Sequence, residues 1–152
     1  MRKTNLLIIL ISILISCRAT KEEIDSDVVI SMQKTNCLGN CPVYTIDIYE
    51  SGLVILDGKE NIDKLGEFKI KLSKNELKRL IDLFNAHDFF SFEEKYISNM
   101  TDLPTTYLYF ADDNRRKRVM DYDGAPESLK KLESEVAKLI QIPNWKKVKR
   151  GS

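Results

Sequence analysis

The 152-residue sequence predicts one α+β domain: an antiparallel sheet built from four strands, a helix, two strands and a second helix, with both amphipathic helices packed on one face. Three observations carry that expectation. Three segments alternate apolar and polar side chains with period two, two others place apolar residues three and four apart, and short turn signals separate the strands. The length leaves room for one ordinary domain. A composition of 43% hydrophobic and 31% charged residues excludes both a disordered tail and a polytopic membrane protein. With 24 Lys and Arg against 23 Asp and Glu, the formal charge of +1 provides no general field for polyanions, and no nucleic-acid partner is expected.

The elements follow in order. From Asp27 to Thr35, Val28, Ile30 and Met32 share one parity and Ser31 and Gln33 the other, the pattern of a half-buried strand. Tyr44, Ile46 and Ile48 alternate with Thr45, Asp47 and Tyr49 over Val43 to Glu50, and Ser51-Gly52 turns the chain into Leu53 to Leu56, forming a hairpin. Asp57-Gly58 signals a second turn, and Glu67 to Leu72 alternates again. Ser73-Lys74-Asn75-Glu76 is a capping box, after which Leu77, Leu80, Ile81 and Phe84 line one stripe of a helix ending near His87. Residues 87–100 lack a period yet hold Phe89, Phe90, Phe92, Tyr96 and Ile97, so they read as a loop that covers the core.

Thr105 to Ala111 and Arg116 to Tyr122 are two further strands, joined by Asp112-Asp113-Asn114, whose short side chains tolerate left-handed turns. Pro126 suits a first helical position, and Leu129, Leu132, Val136, Leu139 and Ile140 form the buried stripe of the second helix, which Pro143 ends. The domain is therefore expected over residues 28–142, with a basic tail over 143–152.

At the other end of the chain, Arg2 and Lys3 precede an apolar stretch from Leu6 to Ile15, interrupted only by Ser12, and then Leu14-Ile15-Ser16-Cys17. Basic, apolar and small residues in that order describe a secretory signal peptide, and the stretch is half of the ~20 residues a spanning helix needs. Leu-Ile-Ser-Cys resembles the lipobox of bacterial lipoproteins, in which the cysteine becomes the acylated first residue. The resemblance implies a leader over residues 1–16, lipid on Cys17 and a tether over 17–27. Each buried lipid methylene contributes about 0.8 kcal/mol, so several chains on one cysteine hold firmly. The expected location is the cell envelope, with the outer membrane favoured, and the membrane is the expected partner through Cys17. Removing Arg2 and Lys3 from 24 basic residues leaves 22 against 23 acidic ones, a formal charge of −1. Lys21-Glu22-Glu23 resembles the acidic patch that routes some Bacteroidota lipoproteins to the cell surface.

Once Cys17 carries lipid, Cys37 and Cys41 remain, and an even remainder in an exported protein favours a disulfide. Gly39 and Asn40, between them, are able to take the positive φ that tight closure demands. A redox dithiol, the alternative, has two intervening residues and a helix N-terminus beside it; here three intervene and Pro42 leads into a strand. Zinc requires three or four protein ligands, a set that two cysteines and the lone His87 do not make, so no metal and no cofactor are expected. His87 stands where a helix end presents free carbonyls, and any Ser-His-Asp or Cys-His mechanism would have to use it. Asp102, two residues before Pro104, reads as a turn brace or as part of a ligand-binding loop. Asp112, Asp113, Asp121 and Asp123 lack the spacing of a calcium loop. The basic runs Arg115 to Arg118 and Lys146 to Arg150 read as a solvated strand edge and a frayed terminus.

Cys37-Leu38-Gly39-Asn40-Cys41-Pro42-Val43-Tyr44, followed by a strand and Gly52, resembles the Cys-x-Gly-x-Cys-Pro-x-Tyr signature of an uncharacterised domain found in many bacterial lipoproteins. Thr101-Asp102-x-Pro104 and Gly124-Ala125-Pro126 fit the same pattern, so the similarity spans roughly residues 28–140. Leu38 departs from it, standing where an aromatic residue is expected. The resemblance implies export and a single domain and transfers no catalytic role. The expected function is a non-catalytic binding module that meets an envelope protein, peptide or glycan through its sheet face or through Leu38, Gly39, Asn40, Pro42, Tyr44 and Asp102. The alternatives are an exported enzyme or redox protein using Cys37 and Cys41 or His87, and an inhibitor or immunity-type protein.

Overall fold

The computed structural model describes residues 27–148; the expected leader, Cys17, the tether up to Ser26, and Lys149 and Arg150 lie outside the described residues. Four strands come first, β1 (Val28–Lys34), β2 (Val43–Tyr49), β3 (Leu53–Glu60) and β4 (Gly66–Lys71), then helix α1 (Lys74–Ala86). A short 3-10 turn, Phe89–Ser91, leads to β5 (Lys95–Tyr96), β6 (Thr106–Ala111) and β7 (Arg116–Asp121), followed by α2 (Glu127–Lys138), a second 3-10 turn and β8 (Lys146–Lys147). All eight strands form one sheet in the order β5-β7-β6-β1-β2-β3-β4-β8.

Two of those strands correct the expected architecture. β5 lies in the stretch read as a covering loop and runs parallel to β7, so the sheet is mixed rather than antiparallel. β8 lies beyond Pro143, in the stretch read as a tail, and pairs antiparallel with β4. The chain order is therefore four strands, helix, three strands, helix, strand. A two-residue strand is too short to display a period. Both exist because they complete the ladder of an otherwise open edge, Met120 donating to the Glu94 carbonyl at 2.9 Å and Val148 to that of Glu67 at 2.9 Å.

One face of the sheet is buried and carries Ile30, Met32, Ile46, Ile48, Val54, Leu56, Leu108, Phe110 and Val119. Both helices pack there, burying Leu80 and Phe84 of α1 and Leu129, Leu132 and Val136 of α2. The capping box at Ser73 forms: its Oγ accepts from the Glu76 amide at 3.3 Å, and Glu76 accepts from the Ser73 amide at 2.8 Å. Pro126 is the cap before α2 rather than its first helical residue. Phe89 and Phe92 are buried and join Phe84 and Phe110 in a ring cluster, with centroids 4.9 Å apart for Phe84 and Phe110 and 5.9 Å for Phe89 and Phe92. Ile97, expected to cover the core, is 62% exposed instead.

Turn chemistry departs from expectation at two hairpins. Asp57 and Gly58 lie inside β3, and the chain reverses after it, with Asn61 at φ 52° and Gly66 at φ 91°. Gly58 serves close packing, since a Cβ there would collide with the Lys64 carbonyl and crowd Ile62. None of Asp112, Asp113 and Asn114 is left-handed. The Asp112 carboxylate closes that turn by accepting from the amides of Asn114 at 3.0 Å and Arg115 at 2.7 Å.

Candidate functional site

The sheet has two unlike ends. The turn end holds Asp27, the Ser51-Gly52 turn and the β6–β7 hairpin, and α1 crosses there: Ile81 and Asn85 border an open crevice of about 680 Å³ together with Val28, Ala111 and Asp112. The loop end gathers the connections 35–42, 61–65, 97–105 and 122–126, and α2 crosses beneath it.

Hydrogen bonds stitch these loops together. Thr35 donates its amide to the Thr105 carbonyl at 3.0 Å, and Thr105 returns its amide to Thr35 Oγ1 at 3.0 Å. Asn61 Nδ2 donates to the Cys41 carbonyl at 3.0 Å, and the Leu103 amide donates to the Tyr122 hydroxyl at 3.4 Å. Cys37 and Cys41 lie at disulfide distance with their Cα atoms 5.8 Å apart. Neither Gly39 nor Asn40 is left-handed, contrary to expectation. The ring closes through bends at residues 38–40, with the Gly39 amide donating to Cys37 Sγ at 3.2 Å.

Leu38, Gly39, Asn40 and Pro42 are all exposed on this rim. Leu38 is 85% exposed, and the other large exposed apolar side chains among the described residues, Leu65, Ile97 and Met100, stand on loops of the same end. Asp102 is exposed on the 97–105 loop in a left-handed conformation at φ 66°. Tyr44 is buried under the rim. His87 caps α1 two residues beyond Asn85, at the turn end. The structure thus gathers Leu38, Gly39, Asn40, Pro42 and Asp102 with the cysteine pair and leaves His87 at the opposite end.

Below the rim the register aligns a row of polar side chains. Tyr44 on β2 stands opposite Lys34 on β1, which faces Thr106 on β6; Thr106 stands opposite Asp121 on β7, and Asp121 opposite Tyr96 on β5. Glu133 reaches the row from α2, its carboxyl within hydrogen-bonding reach of Asp121. Asp121 is 3% exposed and Glu133 8%. Lys130 Nζ donates to Asp121 Oδ2 at 2.6 Å. Asp121 Oδ1 and Glu133 Oε1 have no hydrogen-bond partner among the described residues.

Burial, and then the Asp121 charge, push the Glu133 carboxyl up to about 7, against the opposing pull of Lys130 and Lys34. Burial, and then Glu133, push the Tyr44 phenol up to about 12. Burial is the largest single influence on Lys130 and opposes its charge, but the hydrogen bond to Asp121 together with the charges of Asp121, Glu133 and Asp123 outweighs it and holds that ammonium above its ordinary value. Asp121 and Glu133 are both buried beneath the rim.

Reasoning from the sequence passed over Glu133, Lys130, Lys34 and Thr106. A signal was present: Glu133 falls four residues after Leu129 and three before Val136, inside the apolar stripe, and Asp121 shares the parity of buried Val119.

The open sheet face is polar and aromatic. Ser31 donates to Asp47 at 2.5 Å, Arg118 donates to Gln33 at 3.0 Å, and the Arg118 guanidinium lies 4.3 Å from the Tyr107 ring centre, around a shallow depression of about 250 Å³.

Fold and site together define a small α+β domain whose single mixed sheet is solvated on one face and tipped at one end by a cysteine-closed loop. The chain belongs to the family described as a domain of unknown function, DUF6438, which it matches over residues 28–140. No curated protein matches the chain.

Proposed function

We propose that the chain is a lipid-anchored envelope protein, held to a membrane through Cys17, whose domain is a non-catalytic binding module meeting an apolar protein or peptide surface with the loop end of its sheet. The observation that carries this reading is that Leu38, Leu65, Ile97 and Met100, the large exposed apolar side chains among the described residues, all stand on loops of one end. Singly scattered exposed apolar residues are ordinary, whereas their confinement to one end points to an interaction surface. Aliphatic side chains at the rim favour a protein surface over a glycan, which aromatic faces would stack upon. The stitched loops reduce the ordering that association would require. Asp27 joins the domain at the turn end, and the seven residues of β1 carry the chain ~20 Å to the loop end. A tether at Asp27 therefore leaves the rim pointing away from the membrane. The separation of His87 from Cys37, Cys41 and Asp102 favours binding over an enzyme built on those groups.

Two measurements test the proposal. Mass spectrometry of the native N-terminus should find acyl chains on Cys17; retained Met1 or an unmodified Cys17 would remove the anchor. A photo-crosslinking residue placed at Leu38 in cells should yield a discrete adduct that the same residue at Asp113, on the turn end, does not. Ile97→Asp should abolish that adduct while changing stability by less than about 0.5 kcal/mol. Identical adducts from both ends, or none, would refute the binding surface.

A further inference from the structure

We propose that Asp121 and Glu133 share one proton, that this proton fastens α2 to the loop end of the sheet, and that its loss loosens that end. The inference does not depend on what the loop end binds. It rests first on geometry: Lys130, three residues before Glu133 on α2, ties that helix to Asp121 at 2.6 Å, and both carboxyls are buried, 3% and 8% exposed, each with one oxygen lacking a partner among the described residues. A single proton between them satisfies both oxygens, and leaving either bare in a dry site is costly.

The surrounding charges do not supply the compensation that two carboxylates would need. From β7 comes Asp121 itself; from β1, Lys34; from β2, the neutral Tyr44 phenol; from the connection after β7, Asp123; and from α2, Lys130, whose ammonium is already committed to Asp121 at 2.6 Å. β6 contributes only the Thr106 hydroxyl, and β5 places Tyr96 beside Asp121. Lys34 draws the Glu133 carboxyl down less than burial and Asp121 raise it, which leaves it at about 7. The proton is therefore held in the folded state and released on opening throughout the interval between the ordinary glutamate value of 4.5 and that raised one. A group held above its ordinary value stabilises fully below that ordinary value and loses its contribution as pH rises through the raised one.

Hydrogen exchange tests this on the full-length chain in a mild non-ionic detergent, read at the amides of α2 and of Thr106 and corrected for the intrinsic pH dependence of exchange. With one proton released per opening, the opening constant should rise about tenfold per unit between about pH 5 and pH 7 and level off above it. Glu133→Gln, which fixes the neutral form, should be flat over the same range. A flat wild-type profile, or a Glu133→Gln profile with the wild-type slope, overturns the proposal. Should Glu133→Gln fail to fold, the carboxyl carbon shift of Glu133 in the wild type decides: a midpoint near 7 supports the shared proton, and one near 4.5 overturns it.

Discussion

Replacing both cysteines of the loop, Cys37→Ser with Cys41→Ser, isolates what their bridge contributes. The two residues are four apart, so the closed ring holds five residues. Loop-closure entropy of about −2.1 − 1.5R ln 5, roughly −7 cal/mol/K, corresponds to about 2 kcal/mol at 25 °C. The neighbouring hydrogen bonds do not need the sulfurs: Thr35 and Thr105 pair through their backbones and one hydroxyl, and Asn61 reaches the Cys41 carbonyl. Only the tip at residues 38–40 is held by the ring itself. The double variant should therefore fold and lose about 2 kcal/mol, or roughly 8 °C of melting temperature for a domain of this size. Urea unfolding followed by circular dichroism measures it, with nearly unchanged denaturant dependence because the surface exposed on unfolding is nearly the same. Wild type in reductant should coincide with the variant. A double variant unfolded in buffer would mean that the ring holds the fold together. A midpoint equal to that of the oxidised wild type would mean that it constrains nothing. Either result refutes the reasoning.

Two further outcomes follow from burial. Phe84→Ala removes a fully buried ring 4.9 Å from Phe110 and 5.3 Å from Phe89 and should destabilise by about 3–5 kcal/mol in the same assay; a loss under about 1 kcal/mol would show that the aromatic cluster collapses freely. Absorbance at alkaline pH should show Tyr44 ionising near 12 and together with unfolding. As an acid whose folded value is raised, Tyr44 withdraws stability as pH climbs from 10 through 12. If Tyr44→Phe instead leaves the absorbance change near pH 12 unaltered, the burial argument fails.

The elements legible in the sequence are those long enough to display a period. The alternation of Tyr44, Ile46 and Ile48 marks buried positions of β2, and the stripe Leu80 to Phe84 marks the buried side of α1. β5 and β8 escaped because two residues carry no period and their pairing is decided by a distant edge. Hairpin details escaped because side chains substitute for special backbone geometry: the Asp112 carboxylate closes one turn, and Gly58 answers to the Lys64 carbonyl rather than to its own φ. At the site, the rim residues around Cys37 and Cys41 were legible as a motif, whereas the Tyr44 to Asp121 row became visible only once register aligned β2, β1, β6 and β7.

The two ends of the sheet also differ in what they do to stability. At the turn end the ring cluster of Phe84, Phe89 and Phe110 packs beneath tight closures, such as the Gly52 amide donating to Tyr49 at 2.8 Å. The loop end retains features that a domain optimised for stability alone would lose: two orphaned carboxyl oxygens, a left-handed Asp102 and a rim of exposed aliphatic side chains. Without the shared proton, each of these buried acceptors would cost about 1–3 kcal/mol. Replacing buried ionic groups with apolar ones of similar size is often neutral or stabilising, so folding alone does not require Glu133 in an otherwise apolar stripe. Local rules are broken mainly where something other than folding constrains the chain. Left-handed Asp88 breaks the same rule beside His87 at the turn end, whereas the acid pair and the exposed aliphatic side chains both lie at the loop end. That connection is why the exchange experiment on Glu133 and the crosslinking experiment at Leu38 bear on the same end of the molecule while remaining independent of each other.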